Sequence, residues 1–294
     1  MNTVWIIRHF LNDKCFAVNG RRVSGILANS IVRERLVNQT NPFQILMIFV
    51  LSTALVTFAA IIGPSARAAE AVDLELVFAA DGSGSIDDDE LRLQREGYAL
   101  ALADRRVLDA IASGVHGRIV VAYIEWGGPS SQHTIVDWMP VASAADARRF
   151  GATVRAAPRA ARGYNSISEA IAYSAELIRT NGYEGGRKVI DVSGDGPQIG
   201  GRPLDFIRDR TVADGITINA LVVANRGGYR GPRGEPLEDH YRADVIGGLG
   251  AFVVVANETR GFTNTLLGKM IREIVDATPT GGGVDVVTLE SKTE

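Results

Sequence analysis

The feature that most constrains the fold is a run of apolar residues that ends in a short polar turn. Residues 74–80 are apolar except for Glu75, and Asp-Gly-Ser-Gly-Ser follows directly at residues 81–85. A short apolar run that stops at such a turn is typical of a strand buried on both faces of a sheet. In α/β folds, ligands bind beyond the carboxyl ends of such strands. The sequence therefore predicts an α/β fold with oxygen-bearing side chains at this edge.

The composition is that of an ordinary globular protein with room for one large core. The chain has 294 residues, of which 46% are hydrophobic and 22% are charged. Its first 68 residues hold seven Lys and Arg against two Asp and Glu, whereas the remainder holds 24 against 32. This acidic remainder argues against nucleic acid as the partner. The single cysteine, Cys15, precedes the apolar segment 43–62, so we expect no disulfide or thiolate metal site in the folded part.

The apolar segment 43–62 carries no charge and is long enough to cross a bilayer. The small residues after it resemble a signal-peptidase site that ends at Ala68. Basic residues before the segment should stay cytoplasmic, which sends the remainder outward. We therefore expect residues 1–70 to form a cytoplasmic extension plus a signal peptide or membrane anchor. The protein would be periplasmic or secreted, or held at the inner membrane by the uncleaved segment. A true start downstream of Met1 would explain the long stretch before the segment.

Beyond this segment, strand patterns alternate with helix patterns and the connections are short. The alternation predicts one domain, residues 71–278, with a Rossmann-like, mostly parallel sheet and helices on both faces. Residues 132–139 alternate between apolar and polar, which indicates an antiparallel edge strand. We expect one helix over residues 87–112 with Ser85 as its N-cap. Residues 279–294 should form a flexible tail.

Two further polar turns should lie at the same edge of the sheet as residues 81–85. Asn165 and Ser166 precede a predicted helix, and Asp195 follows the predicted strand 187–193 in an Asp-Gly turn. Oxygen ligands with no Cys or His nearby favour a hard cation such as Mg²⁺ over zinc or copper. The sequence therefore predicts a cation site formed by three separate turns.

Together these residues resemble the metal-ion-dependent adhesion site (MIDAS) of the von Willebrand factor A-like superfamily. The Asp-x-Ser-x-Ser motif of the superfamily corresponds to Asp81, Ser83 and Ser85. Its distant Thr corresponds to Asn165 and its distant Asp to Asp195. Within the superfamily, the chain is similar to a bacterial family of exported proteins of unknown function. The phrases that carry this second similarity lie at residues 93–98, 123–126 and 189–197.

The resemblance implies a binding module rather than an enzyme. The cation would be Mg²⁺, with Mn²⁺ or Ca²⁺ as alternatives. Ser83 and Ser85 would coordinate it directly, while Asp81 and Asp195 would hold coordinated waters and offset its charge. Mg²⁺ sheds water reluctantly, so an open position would remain for a carboxylate from a protein partner.

The sequence departs from the superfamily at Asn165, which stands where Thr is usual. The side-chain carbonyl of Asn165 can ligate a hard cation. Ser166 can supply a hydroxyl instead if the loop shifts by one residue.

Two other functions fit the same residues. A hydrolase-type enzyme could use Asp81 or Ser83 as its nucleophile, but it would need a base beside that group. None of the four histidines lies in a recognisable catalytic phrase. A degenerate, metal-free interaction domain is the other alternative.

Polar residues inside or at the end of the predicted strands are interpreted as structural. Asp191 is expected to be a buried or edge carboxylate rather than a ligand. Glu125 is interpreted as a satisfied polar residue, and Trp126 beside it as a packing aromatic.

Overall fold

The computed structural model describes residues 69–223, 228–256 and 261–275. The chain divides into two units, Met1–Arg67 and Ala68–Glu294, and every described residue lies in the second. The apolar segment 43–62, its cleavage or retention, and the tail 279–294 fall outside the described residues. Across the described ranges, no helix is both long enough and apolar enough to span a membrane.

The strands form one six-stranded sheet. They are β1 (Glu70–Asp81), β2 (Ile119–Trp126), β3 (Gln132–Val141), β4 (Tyr183–Gly194), β5 (Thr217–Val223) and β6 (Val253–Ala256). Their order is β3-β2-β1-β4-β5-β6. Strand β3 pairs antiparallel with β2, and the other neighbours pair in parallel. This confirms the predicted mostly parallel sheet with one antiparallel edge strand.

Helices cover both faces of the sheet. They are α1 (Asp88–Ala103), α2 (Arg105–Ala112), α3 (Ala144–Ala156), α4 (Ile167–Thr180), α5 (Leu204–Ala213), α6 (Leu237–His240) and α7 (Phe262–Val275). A π-helical turn, Tyr241–Val245, follows α6. Helices α1, α2, α3 and α7 pack on one face, while α4, α5 and α6 pack on the other.

The burial of β1 explains its nearly unbroken apolar sequence. Successive side chains point to opposite faces, and both faces are covered. Phe78 packs against Tyr98 and Phe150, with ring centroids 5.0 Å and 6.2 Å away. Its neighbour Val77 belongs to the hydrophobic cluster on the other face. Each large side chain buried in this way contributes about 1.5–3 kcal/mol.

The predicted single helix over residues 87–112 is wrong. Asp104 has an extended backbone conformation, which ends α1. Its carboxylate accepts a hydrogen bond from the backbone N–H of Arg106, so the same residue also caps α2. An aspartate that caps the following turn competes with continuation of the helix.

The predicted N-cap at Ser85 is also wrong. Asp87 caps α1 by accepting hydrogen bonds from the backbone N–H groups of Asp89 and Glu90. The Glu90 carboxylate accepts in return from the backbone N–H of Asp87, which completes a capping box. Ser85 instead donates its hydroxyl to Asp195.

The chain leaves the adjacent strands β1 and β4 in opposite directions. After β1 the chain continues to β2 on one side, and after β4 it continues to β5 on the other. The loops that follow β1 and β4 therefore move apart and leave a crevice at the carboxyl edge, where α/β sheets bind ligands. Asp81 is the last residue of β1, and Asp195 directly follows the last residue of β4.

Candidate metal centre

All five residues predicted as metal ligands meet in this crevice. The hydroxyl of Ser85 donates to Oδ1 of Asp195 over 2.8 Å. The hydroxyl oxygens of Ser83 and Ser85 are 3.1 Å apart. The amide Nδ2 of Asn165 lies 3.5 Å from Oδ2 of Asp81. Three turns that are far apart in the chain thus contribute oxygen-bearing side chains to one point.

The turn after β1 is held by its own carboxylate and by α1. Oδ1 of Asp81 accepts a 2.8 Å hydrogen bond from the backbone N–H of Ser83. The backbone carbonyl of Asp81 accepts another, of 2.9 Å, from the side-chain amide of Gln94. Asp81 and Ser83 are fully buried, whereas Ser85 is exposed. The cluster therefore has a closed floor and opens to solvent at Ser85.

Two carboxylates lie close together in this largely buried place. Burial, followed by the negative charge of Asp195, raises the pKa of Asp81 from 3.8 to about 7. Burial, followed by the charges of Asp81 and Asp195, also raises the pKa of Tyr241 well above its usual value. Each shift records an environment that disfavours further negative charge. A divalent cation placed among these oxygens would reverse that preference.

The structure distinguishes Asn165 from Ser166. The Asn165 amide faces Asp81. The Ser166 hydroxyl donates to the backbone carbonyl of Gly200 over 3.0 Å and is fully buried. The carbonyl of Asn165 accepts from the backbone N–H of Ile199 over 2.6 Å, which ties its loop to the Asp195 turn. The side chain that reaches the cluster is therefore that of Asn165.

Glycine is required where the Asp195 turn meets its neighbours. A Cβ atom at Gly196 would collide with the amide of Asn165. A Cβ atom at Gly194 would lie 2.5 Å from the hydroxyl oxygen of Tyr241 and 3.3 Å from Oδ2 of Asp81. The absence of these Cβ atoms lets the backbone approach the cluster closely.

Sequence reasoning missed Arg159, which fastens the turn that carries the two serines. Its Nη2 contacts the backbone carbonyl of Ile86 and donates to those of Ser83 (3.1 Å) and Gly82 (3.3 Å). Its Nη1 donates to Asp88 over 2.7 Å. Every residue has a backbone carbonyl, so an arginine that binds carbonyls has no characteristic partner in the sequence. No motif could therefore have identified Arg159.

A buried ion pair supports the neighbouring loop. Nε of Arg95 donates to Glu125 over 2.7 Å, and Nη2 donates to the carbonyl of Pro158 over 3.0 Å. Trp126 is fully buried, and its indole N–H donates to the carbonyl of Ala79 over 3.0 Å. Trp126 therefore has the packing role interpreted from the sequence. Glu125 is structural but only partly satisfied, because its buried Oε2 has no hydrogen-bond partner among the described residues.

A second cluster of ligand-type side chains, which the sequence analysis did not identify, lies nearby. Glu235, His240 and Asp244 place their ligand atoms within 4.8 Å of one another. However, the guanidinium of Arg233 lies 2.8 Å from Asp244 and 3.2 Å from Glu235. Nε2 of His240 accepts from the backbone N–H of Gln198, so the ring proton is on Nδ1, facing Asp244 at 2.8 Å. Arg233 thus pairs with both carboxylates, and both ring nitrogens of His240 are already hydrogen-bonded. We therefore interpret this cluster as an ion-pair network rather than as a metal site.

Comparison with protein families finds one match that covers most of the chain. A family model described as a protein of unknown function (DUF1194) matches residues 71–278. No curated protein matches the chain significantly.

Solved structures with a similar fold include a pilus adhesin. The pilus adhesin SpaC from Lactobacillus rhamnosus GG is 11% identical with a TM-score of 0.50, over 69% of this chain and 31% of the adhesin. A von Willebrand factor type A protein from Catenulispora acidiphila is 14% identical with a TM-score of 0.45, over 70% and 42% of the two chains. Proximal thread matrix protein 1 from the mussel byssus, described with a zinc-occupied MIDAS motif, is 14% identical with a TM-score of 0.45, over 69% and 45%. The chain thus spans less than half the length of each, and the likeness concerns the fold.

Proposed function

The chain belongs to the family of proteins of unknown function DUF1194, and we propose that its von Willebrand factor A-like domain is an adhesion-type binding module. In this proposal the domain holds a divalent cation among Asp81, Ser83, Ser85, Asn165 and Asp195. The cation binds a carboxylate offered by a protein partner. No bond in the partner is made or broken.

The observation that carries the proposal is the hydrogen bond between Ser85 and Asp195, which lies beside the buried carboxylate of Asp81. The side chains offer hydroxyl, carboxylate and amide oxygens only, which suits a hard cation. A buried carboxylate that is held near a second one is stabilised by a cation between them. Burial and the charge of Asp195, which raise the pKa of Asp81, destabilise its carboxylate form when no cation is present. A bound cation would stabilise that form.

Mg²⁺ is the proposed cation, with Mn²⁺ or Ca²⁺ as alternatives. Ser83 and Ser85 stand close enough to act as neighbouring ligands. Turning the Asn165 amide by half a rotation would present Oδ1 in place of Nδ2. This carbonyl oxygen would then take the place of the hydroxyl oxygen that the usual Thr supplies. Mg²⁺ commonly keeps part of its water shell, which leaves a position for a partner's carboxylate.

The surface around the opening fits a protein partner. Tyr164, next to Asn165, is 76% exposed, and Ile199, hydrogen-bonded to the Asn165 carbonyl, is 49% exposed. Tyr229 is 49% exposed and lines a cavity of about 230 Å³ with Asp195 and Leu237. An exposed tyrosine beside a cavity is a common feature of protein interfaces. We call Tyr164, Ile199 and Tyr229 the apolar rim.

The location and the boundaries of the module are part of the proposal. The uncharged segment 43–62 supports export to the periplasm or beyond, by a cleaved signal peptide or by an anchor in the inner membrane. The binding module is proposed to span residues 71–278, with residues 1–70 as the targeting part and 279–294 as a flexible tail.

Isothermal titration of the full chain with Mg²⁺ tests the proposal. We expect binding to the wild type and at least about tenfold weaker binding to Ser83→Ala, since a direct ligand is lost. Ser130→Ala is the matched control, because Ser130 is an exposed serine outside the cluster. Equal binding to wild type and Ser83→Ala, or no binding to either, would contradict the proposal.

A further inference from the structure

A lysine and two carboxylic acids are buried together where α7 packs on the sheet. Lys269 and Glu273 project from successive turns of α7, and Asp191 projects from β4. Nζ of Lys269 lies 2.6 Å from Oδ1 of Asp191 and also contacts Oε1 of Glu273. All three side chains are fully buried. An amine and a carboxyl group are thus in direct contact where water has no access.

As an ion pair this cluster is poorly satisfied. Among the described residues, neither oxygen of Asp191 has a partner in good hydrogen-bond geometry, and Oε2 of Glu273 has none either. One ammonium group faces two carboxyl groups, so a buried negative charge stays uncompensated if both acids ionise. Burial, followed by the charge of Glu273, raises the pKa of Asp191 to about 7, against the opposing effect of Lys269. A neutral carboxylic acid at Asp191, in contact with Lys269, is therefore accessible near neutral pH.

We propose that Lys269 and Asp191 are joined by an intramolecular isopeptide bond that the folded domain forms on its own, with Glu273 as the proton carrier. The bond links the Nζ atom of the last described helix to the side-chain carbonyl of a central strand. No cofactor or second protein takes part.

The reaction is a condensation in which atoms and protons balance. A proton passes from the Lys269 ammonium to the Asp191 carboxylate, which gives an amine and a carboxylic acid. The Nζ lone pair attacks Cγ of Asp191, and the Nζ–Cγ bond forms. Glu273 takes a proton from Nζ and delivers it to the departing hydroxyl group. The Cγ–O bond breaks, one water molecule leaves, and Glu273 returns to its original state.

The surroundings favour this outcome over a lasting ion pair. Two desolvated ions are replaced by one neutral amide, which removes the cost of burying their charges. The reacting groups are already in contact, so no translational entropy is lost in bringing them together. The aromatic ring of Phe252, whose centroid is 5.2 Å from Nζ, forms part of the apolar wall.

Asn219 positions the proton carrier. Its Nδ2 donates to Oε1 of Glu273 over 3.0 Å. Its Oδ1 accepts from the backbone N–H of Phe252 over 3.2 Å, which fixes the orientation of the amide. Glu273 is thereby held against Lys269 from the β5 side.

The proposed bond would fasten α7 covalently to β4, on the sheet face that α1 and α3 also cover. A helix held in this way cannot peel from the sheet when the chain is pulled. This inference stands apart from the proposed cation site. The Lys269 cluster lies under α7 on one face of the sheet, whereas the cation site lies at the carboxyl edge and uses different residues.

Intact-mass spectrometry of the denatured full chain tests the inference. We expect the wild type to be lighter than its sequence by one water molecule, with Lys269→Met, which shares any N-terminal processing, as the reference. After trypsin we expect a branched peptide in which residues 189–208 are joined to residues 261–272, because an acylated Lys269 is not cleaved. A folded wild type of unreduced mass that yields the linear peptides 189–208, 261–269 and 270–272 instead would overturn the inference.

Two variants separate the bond from a merely structural ion pair. Glu273→Gln keeps the shape of the side chain but cannot carry the proton, so we expect a folded protein without the mass loss. Retention of the mass loss in this variant would overturn the role of Glu273. Lys188→Met is the matched control, since Lys188 pairs with Glu75 at 3.8 Å yet is partly exposed. We expect it to keep the mass loss. Because the branched tryptic peptide of the wild type decides whether the bond exists, a variant that fails to fold does not obscure the result.

Discussion

The hydroxyl of Ser85 donates a 2.8 Å hydrogen bond to the carboxylate of Asp195, which lies 110 residues further along the chain. Ser85 belongs to the turn after β1 and Asp195 to the turn after β4. The contact forms because these strands are neighbours whose carboxyl ends reach the same edge of the sheet. It brings the two halves of the proposed cation site together.

Proton release should accompany cation binding. Asp81, with its pKa raised to about 7, holds a proton below that pH, and a cation beside it requires the carboxylate. We expect close to one proton released per Mg²⁺ at about pH 6 and almost none at about pH 8. Titration in two buffers with different ionisation enthalpies counts these protons. Equal release at both pH values would show that Asp81 does not face the cation.

The same pKa sets the pH dependence of the metal-free domain. Between about pH 4 and about pH 7 the unfolded chain has lost the Asp81 proton while the folded domain keeps it. The free energy of unfolding should therefore fall as the pH rises through this range, by up to about 4 kcal/mol from this group. Urea unfolding in a chelator measures the trend, and Asp81→Asn should flatten it.

Arg159 should matter for cation affinity although it is not a ligand. Arg159→Ala removes the donors that hold the carbonyls of residues 82, 83 and 86, so the serine turn should loosen. We expect Mg²⁺ affinity to fall about tenfold and the free energy of unfolding by about 1–3 kcal/mol. Arg159→Lys should restore little, because a lysine lacks the planar fork. Arg105→Ala, in an exposed pair on α2, is the control and should change neither quantity.

Gly196→Ala should damage the site by steric collision alone. The added Cβ atom would overlap the amide of Asn165 and push this residue away from Asp81. We expect Mg²⁺ binding in calorimetry to weaken at least about tenfold, since a ligand is displaced. Gly182→Ala is the matched control, because a Cβ atom there has no neighbour within 4 Å. Normal Mg²⁺ affinity in Gly196→Ala would mean that Asn165 takes no part.

The apolar rim should affect the partner but not the cation. The wild-type protein is used to capture proteins from a cell-envelope extract. The captured proteins that are lost when a chelator is added are the candidate partners. We expect Tyr229→Ala to reduce their recovery several-fold while Mg²⁺ affinity stays unchanged, because a tyrosine anchor contributes to the interface alone. Phe206→Ala serves as the control, as Phe206 is 59% exposed outside the rim. Equal losses in both variants would argue against a specific rim.

Much of the fold follows from local sequence pattern. The buried strand ahead of Asp81 and the alternation of strands and helices predict a parallel sheet, and parallel strands end at one edge. The convergence of Asp81, Asn165 and Asp195 could therefore be predicted without coordinates. Their role as ligands remains a prediction.

Other features depend on contacts that no local pattern records. The break at Asp104 arises from a single capping aspartate inside a stretch that otherwise favours helix. Arg159 binds backbone carbonyls, which every residue offers. The sequence indicates a structural role for Asp191, but nothing near it in the sequence indicates that Lys269 lies 2.6 Å away. Such pairings are set by how α7 packs across the sheet.

A crystal of the full chain grown with Mn²⁺ tests the central claim most directly, because the anomalous signal locates the cation without reference to function. We predict one strong anomalous peak among the oxygens of Ser83, Ser85 and Asp195, within coordination distance of the two hydroxyls. Ordered crystals in which this position shows water and no anomalous peak would contradict the account.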